Sequence, residues 1–341
     1  MQKQKLLKGT KGCLLALSVG IILFVLLIGI LLYIQMTPTH ISLLPNEDKP
    51  EIVVPIEIKD STYYFLWDTG STFSFMEYDL AVELGLVTNQ EKVYKNLAAM
   101  HEMIADSFNI INSHFYLGDL WHSNHFYSNE RDIYYELSPD LKEDIKGIIG
   151  QNIISRFNWL FDFTQNQALV SRKQIAFNRD SVNILNLPFE TSRKTPYLNL
   201  KLNNAFEKEF YLDTGCRLVF PFDNLEDYKL YPSFVMHSDS INLSMIQNKT
   251  ILFASGGGIS YQFAEFDTIC INNLELHNIA MMYRSQFLER NYITANFLFQ
   301  FDKMYYNSTD NEIELIAPRR ENNPLVPEKR IEDFIKGHIN E

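Results

Sequence analysis

The chain has 341 residues, of which 46% are hydrophobic, 21% are charged, 14 are glycine and 12 are proline. These values exclude a small disulfide scaffold, a disordered chain and a collagen-like repeat, and they indicate one large or two ordinary folded domains. The net charge is −12, which makes nucleic acid an unfavourable partner because an acidic surface repels phosphate backbones.

The first feature along the chain is an uncharged run at residues 13–34, CLLALSVGIILFVLLIGILLYI. A helix of 22 residues reaches about 33 Å, which is enough to cross the hydrocarbon layer of a membrane. Four lysines precede the run, and they predict a cytoplasmic N-terminus and an extracytoplasmic remainder, on the periplasmic or outer face. A cleaved signal peptide is the alternative, but its apolar region should be shorter. We therefore predict a single-pass membrane protein with residues 1–36 as cytoplasmic lysines plus anchor.

Residues 37–50 contain three prolines and are predicted to form a short stalk. Short runs with alternating apolar and polar residues follow, and many of them are rich in β-branched and aromatic side chains. They predict strands at residues 51–58, 62–67, 108–118, 197–202, 209–212, 266–271 and 312–317. Helical periodicity is confined to residues 76–84 and a weaker pattern at 139–145. The pattern is typical of an all-β fold.

An internal repeat divides this β-rich part. Residues 52–75 and residues 197–220 both read as strand, polar turn, strand and then Asp-Thr-Gly, at an offset of 145. Residues 146–170 likewise resemble residues 291–315. Gly150 follows Asp68 by 82 residues, and Thr294 follows Asp213 by 81. The repeat predicts two lobes related by a pseudo-twofold axis, at residues 51–187 and 188–318.

The last segment, residues 319–341, is rich in charge. Ile331, Phe334, Ile335 and Ile339 fall on one helical face, which predicts a short helix packed on a lobe. A helix lying on the membrane surface is the alternative.

The two Asp-Thr-Gly motifs carry the chemistry of the chain. Each follows an apolar strand, so a pseudo-twofold arrangement brings Asp68 and Asp213 to the shared axis. Two carboxylates about 3 Å apart share one proton, which yields one acid and one base. Such a pair can activate a water against a peptide carbonyl without a metal or a covalent intermediate.

These motifs, Asp68-Thr69-Gly70-Ser71-Thr72 and Asp213-Thr214-Gly215, resemble those of aspartic peptidases of the pepsin and retropepsin type, in the single-chain, two-lobed bacterial form. The resemblance covers about residues 51–318. It implies two β-rich lobes, a cleft between them and endopeptidase activity on extended polypeptides, with no cofactor, no metal and no obligate homodimer. It also implies that Asp68 and Asp213 are catalytic. The residues that support their loops would be Thr69, Gly70, Ser71, Thr214, Gly215 and Cys216.

The second lobe departs from the family pattern at two positions. Thr294 stands where the first lobe has Gly150, and Cys216 stands where it has Ser71. A serine hydroxyl can donate to its aspartate and hold it ionised, whereas a thiol is a much weaker donor. We therefore expect Asp68 to be the more readily ionised member of the pair.

A flap over the cleft is expected 30 to 45 residues after each aspartate, at residues 97–112 and 242–261. The second window contains Gly256, Gly257 and Gly258, which suit either a mobile flap tip or an ordinary hairpin turn. His122 and His125 are interpreted as part of a solvated turn, because no further ligand spacing accompanies them.

The sequence thus predicts a membrane-anchored aspartic endopeptidase. Its tether favours polypeptide substrates within reach, such as membrane or envelope proteins. Because of Cys216 and Thr294, the alternative is a catalytically inactive relative that binds peptides as a sensor or adaptor.

Overall fold

The computed structural model describes residues 2–44, 51–87, 92–99, 102–128, 144–179, 184–191, 195–202, 206–215, 221–222, 234–235, 251–252, 258–259, 261–272, 274–284 and 291–318. The predicted helix at 139–145 falls mostly on residues outside these ranges, and the predicted tail helix at 319–341 lies wholly outside them.

The chain begins with a long helix, α1 (Gln2–Met36). Its portion Leu17–Met36 is entirely unburied and is long and apolar enough to cross a membrane. A signal sequence near an N-terminus would have the same properties.

The remainder is mostly β-structure. Within the described ranges, three short helices accompany the strands: α2 (Tyr78–Glu83), α3 (Gln151–Ile154) and α4 (Ala295–Leu298). The strands up to the middle of the chain are β1 (Thr39–Ser42), β2 (Val53–Ile58), β3 (Ser61–Trp67), β4 (Phe75–Met76), β5 (Lys92–Ala99), β6 (Glu102–Leu117), β7 (Leu120–Ser128), β8 (Ile145–Ile149), β9 (Asn158–Asp162), β10 (Gln167–Ser171) and β11 (Ile184–Glu190). The later strands are β12 (Tyr197–Leu202), β13 (Phe206–Asp213), β14 (Pro221–Phe222), β15 (Phe234–Val235), β16 (Ile251–Leu252), β17 (Gly258–Ile259), β18 (Tyr261–Ile271), β19 (Leu274–Arg284), β20 (Asn291–Thr294), β21 (Phe301–Asn307) and β22 (Glu312–Pro318).

The first lobe has a separate sheet of seven strands, whereas most strands of the second lobe belong to one sheet with the strands that join the lobes. In the first lobe the strand order is β2-β3-β8-β4-β7-β6-β5. Its first hairpin, β2–β3, turns at Lys59 and Asp60. Both residues have a positive φ, as required in the two-residue turns whose twist matches that of the flanking strands. In the second lobe β12 pairs with β13 and β18, and β13 pairs with β20. The predicted all-β, two-lobed architecture is confirmed.

A six-stranded part of this larger sheet (the interlobe sheet) joins the lobes, in the order β1-β10-β9-β21-β22-β11, and β11 continues into the second lobe by pairing with β12. The two hairpins at its centre, β9–β10 and β21–β22, are copies of one another. Asn166 and Asn311 occupy the same position of the two turns, and both adopt a left-handed conformation. Asp162 and Asn307 each accept two backbone N–H bonds at the start of these turns. The duplication read from the sequence is therefore present in the turn geometry as well.

Part of the predicted stalk belongs to this sheet. Residues 37–50 were expected to link membrane and lobe, but Thr39–Ser42 forms β1, which pairs with β10 in register from Thr39 with Val170 to Ser42 with Gln167. Ile41 is 5% exposed, because alternate side chains of the strand point into the core. The stalk interpretation is wrong over these four residues, since strand pairing outweighs their irregular local sequence.

Replacement of Ile41 by alanine should therefore destabilise the folded part by about 2–4 kcal/mol, because it leaves a cavity beneath β1. A true stalk residue would change nothing. Thermal or denaturant unfolding of the full chain in detergent measures the effect. His40→Ala, at the exposed neighbouring position, is the control and should stay within about 0.5 kcal/mol of the parent.

The helix predicted at residues 76–84 is shorter than expected. Phe75 and Met76 instead form β4, which pairs with β7 and β8. The helix α2 begins at Tyr78, buries Leu80 and Ala81, and is followed by Gly85 at a φ of 62°. The start of the predicted helix is a strand instead, because β4 pairs with β7 and β8 there.

Candidate active site

Both aspartates sit at the end of a buried central strand. In the first lobe β3 runs parallel to β8, with Trp67 opposite Ile149. In the second lobe β13 runs parallel to β20, with Leu212 opposite Ile293. Trp67, Ile149, Leu212 and Ile293 are fully buried or nearly so, and their packing fixes the course of both strand pairs. Each strand therefore delivers its aspartate to the same place in its lobe.

The structure brings Asp68 and Asp213 together between the lobes, where their side chains are within hydrogen-bonding contact. One oxygen of Asp68, Oδ1, also accepts three backbone N–H bonds. Gly70 donates at 2.8 Å, Ser71 at 3.2 Å and Gly215, from the other lobe, at 3.2 Å. The carboxyl group of the first lobe is thus held by both lobes.

The motif glycines make this approach possible. A Cβ built on Gly70 would lie 2.5 Å from Cγ of Asp213, and one built on Gly215 would lie 2.5 Å from Cγ of Asp68. No real Cβ stands so close to a carboxyl group. Each glycine is therefore required by the aspartate of the opposite lobe.

The motif threonines tie the two loops together. The Thr214 hydroxyl accepts from the Thr69 backbone N–H at 3.0 Å and donates to the Trp67 carbonyl at 2.6 Å. In the reverse direction, the Thr69 hydroxyl accepts from the Thr214 N–H at 3.2 Å and donates to the Leu212 carbonyl at 2.9 Å. Both threonines are buried, so these bonds are shielded from water. They set the distance between the aspartate loops.

Burial raises the pKa of Asp68 above its ordinary value, because desolvation disfavours the charged form. The three backbone donors and the Asp213 side chain oppose this effect without cancelling it. The hydrogen bond from the Ser71 hydroxyl that was expected to keep Asp68 ionised is not formed. The Ser71 hydroxyl donates to the Phe73 carbonyl at 2.7 Å, so only the Ser71 backbone N–H contacts the carboxylate.

Residues behind the first loop support it, and sequence analysis did not select them. Gln151 donates through Nε2 to the Thr69 carbonyl and through its backbone N–H to the Ser71 carbonyl. Its Oε1 accepts from the Tyr306 hydroxyl of the interlobe sheet. Ser74 accepts from the Gly150 N–H at 2.9 Å and donates to Asn152. Recurrence of Asn152 as Asn296 in the second repeat was the available signal.

Thr294 fits its position without backbone strain. Its φ and ψ are −108° and 171°, close to the −102° and −173° of Gly150. Any residue adopts this conformation. Gly150 is needed for another reason, because a Cβ there would lie 2.5 Å from the Phe73 carbonyl carbon. The departure at Thr294 therefore leaves the backbone of the second lobe in the shape of the first.

Cys216, Gly256 and Gly257 lie outside the described residues, and Gly258 belongs to β17, which pairs with β16. In the first lobe the predicted flap window falls on the hairpin β5–β6, paired from Lys92 with Asn109 to Ala99 with Glu102. Within the described ranges, no group of three or more His, Cys, Asp or Glu side chains could hold a metal.

Comparison with known proteins identifies the fold. A crystal structure of an aspartic proteinase from Irpex lacteus matches 84% of this chain and 99% of its own length, with a TM-score of 0.54 and 13% sequence identity. Neither a known protein family nor a curated protein sequence matches. The chain therefore has the two-lobed fold of pepsin-like aspartic proteinases.

Proposed function

We propose that this protein is an aspartic endopeptidase that hydrolyses peptide bonds with Asp68 and Asp213. One observation carries the proposal. The two carboxyl groups lie in hydrogen-bonding contact with one another, and the motif glycine of each lobe leaves space for the aspartate of the other.

The proposed mechanism needs one proton on the pair. The ionised carboxylate removes a proton from a water molecule as that water attacks the peptide carbonyl, and the protonated carboxyl donates a hydrogen bond to the carbonyl oxygen. The tetrahedral intermediate collapses when the leaving nitrogen receives a proton from the pair. The backbone donors around Asp68 hold its carboxyl group in place during these transfers.

We further propose that α1 remains as a membrane anchor with its N-terminus in the cytoplasm, so that the lobes face away from the cytoplasm. The apolar length of Leu17–Met36 and the lysines before it support this topology. Polypeptides in or near the same membrane would then be the substrates within reach.

The decisive variant is Asp68→Asn in the full chain. Hydrolysis of a denatured protein should fall by about 10²- to 10⁴-fold, because the pair loses its exchangeable proton site. Asp213→Asn should do the same. The control Asp79→Asn, at an exposed position of α2, should retain full hydrolysis. Peptide binding without turnover in the parent protein would instead support the alternative of an inactive, peptide-binding sensor.

The pH dependence follows from the raised pKa of Asp68. Activity should fall as pH rises through that pKa, because the pair then loses its shared proton. The free energy of unfolding should also fall as pH rises. Above the ordinary value of 3.8 the folded state binds more protons than the unfolded chain, so unfolding becomes easier as pH rises. Asp68→Asn should therefore raise the melting temperature at neutral pH but not in acid, while it abolishes activity.

A further inference from the structure

The helix α1 joins the first lobe with almost no linker. It ends at Met36, and β1 begins at Thr39. The tip of the β6–β7 hairpin contacts this junction between helix and strand. Asp119 accepts from the Gln35 side chain through its carbonyl, and its carboxylate and backbone N–H bond the Thr39 hydroxyl. The hairpin tip is therefore fixed beside the last turn of the helix.

The hairpin carries exposed aromatic side chains close to that tip. Tyr116 and Trp121 lie directly opposite one another, 45% and 43% exposed. His114 stacks on Trp121 with ring centroids 5.4 Å apart. Among the side chains that the structure describes outside α1, Val82 is the one other large apolar group exposed to this degree. The helix adds Tyr33, which is 72% exposed, in its last turns.

Two arginines lie close to the backbone of this hairpin, in a chain that is acidic as a whole. Arg172 donates to the Trp121 carbonyl at 2.6 Å. Arg156 and Arg172 are both close enough to the neighbouring His122 to help lower its pKa, an effect that is mainly due to burial and brings it to about 4. Asp119, at the tip, is acidic, and its carboxylate accepts a hydrogen bond from the Thr39 hydroxyl.

The distances suit a lipid interface. The uncharged run at residues 13–34 spans about 33 Å, slightly more than the thickness of the hydrocarbon layer, so Ile34 and the adjacent Gln35 would lie at its boundary. Trp121 is two residues from Asp119, about 7 Å along the strand, and the headgroup region on each side is about 5–8 Å thick. Tyrosine and tryptophan are the residues enriched at this depth.

We propose that the aromatic face of the β6–β7 hairpin, Tyr116 and Trp121, rests in the headgroup region of the membrane that holds α1. This inference depends on the proposed anchoring. It adds that the lobes are held in one orientation against the bilayer, because the helix, β1 and the hairpin tip form one bonded junction. The active site would then stand at a constant height above the lipid surface.

Tryptophan fluorescence tests this placement directly. The chain has three tryptophans, and Trp67 and Trp159 are fully buried in the core. The full chain is reconstituted in phosphatidylcholine vesicles whose acyl chains are brominated near the headgroup. Emission should be lower than in unbrominated vesicles by up to about a third, because one tryptophan of three would reach the interface. Trp121→Phe should remove this loss.

A second variant controls for general contact with lipid. Gln165→Trp in the Trp121→Phe background places an exposed tryptophan in the β9–β10 turn, at the opposite end of the interlobe sheet. This site is roughly 17 Å farther from the helix end, so its emission should be unaffected by bromine. Equal quenching in the parent and in Trp121→Phe, or none in either, would overturn the docking.

Flotation and hydrolysis on the same vesicles separate this inference from the proposed function. A chain that floats with the vesicles and cleaves substrate but shows no quenching of Trp121 contradicts the docking alone. A chain that does not float contradicts both anchor and docking. A chain that floats and is quenched without cleavage supports the docking and contradicts the peptidase.

Discussion

Gly70→Ala should abolish hydrolysis while most of the fold survives. The added Cβ would lie 2.5 Å from Cγ of Asp213, so the carboxyl group or the loop must move. Geometry matters strongly in this chemistry, since a displacement of about 1 Å can cost roughly 100-fold in rate. Gly215→Ala should have the same effect through Asp68. Initial rates on a denatured protein, with melting curves in parallel, measure both consequences.

Gly85→Ala is the matched control for this pair. Gly85 has a φ of 62°, and nothing lies within 4 Å of a Cβ built there. Alanine at this position should cost about 1 kcal/mol in stability through backbone strain and leave the rate unchanged. If Gly70→Ala and Gly85→Ala were equally active, the close packing of each glycine against the opposite aspartate would not matter for function.

Thr214→Val should be the most destabilising isosteric change near the site. The substitution removes the hydroxyl that accepts from the Thr69 N–H and donates to the Trp67 carbonyl. Two buried backbone groups lose a partner, at about 1–3 kcal/mol each. We expect a loss of roughly 2–4 kcal/mol in the free energy of unfolding, together with lower activity, because the aspartate loops are no longer held at one distance.

Thr214→Ser tests whether the hydroxyl or the methyl group is responsible. Serine keeps both hydrogen bonds and should lose only about 1 kcal/mol or less from the missing methyl group. The double variant with Thr69→Val should show strong coupling, since the two hydroxyls act in one network. Additive losses would mean that each threonine stabilises its own loop independently.

Much of the architecture can be read from the chain because it is encoded locally and then repeated. Alternation of apolar residues marks β3 and β13, and the recurrence of Asp-Thr-Gly at an offset of 145 marks two copies of one lobe. The same offset separates Asn166 from Asn311 in the central hairpins. A repeat predicts a pseudo-twofold axis, and an axis predicts that residues at equivalent positions meet.

The hydrogen-bond partners of the polar side chains near the site could be determined only from the tertiary structure. Ser71 was expected to donate to Asp68, but its hydroxyl finds the Phe73 carbonyl, because the turn points it away from the carboxylate. Gln151 supports the active-site loop through contacts that join separate strands. No local pattern encodes such a contact.

Short segments also depend on the assembled fold. The four residues Thr39–Ser42 lie between prolines and carry too little alternation to predict a strand, and they become one because β10 presents an open edge. The chain alone therefore determined the helix, the duplicated lobes and the two acidic residues, since periodicity and repetition survive without coordinates. The hydrogen bonds of those acids and the attachment of α1 to the first lobe required the folded structure, because they join residues far apart in the chain.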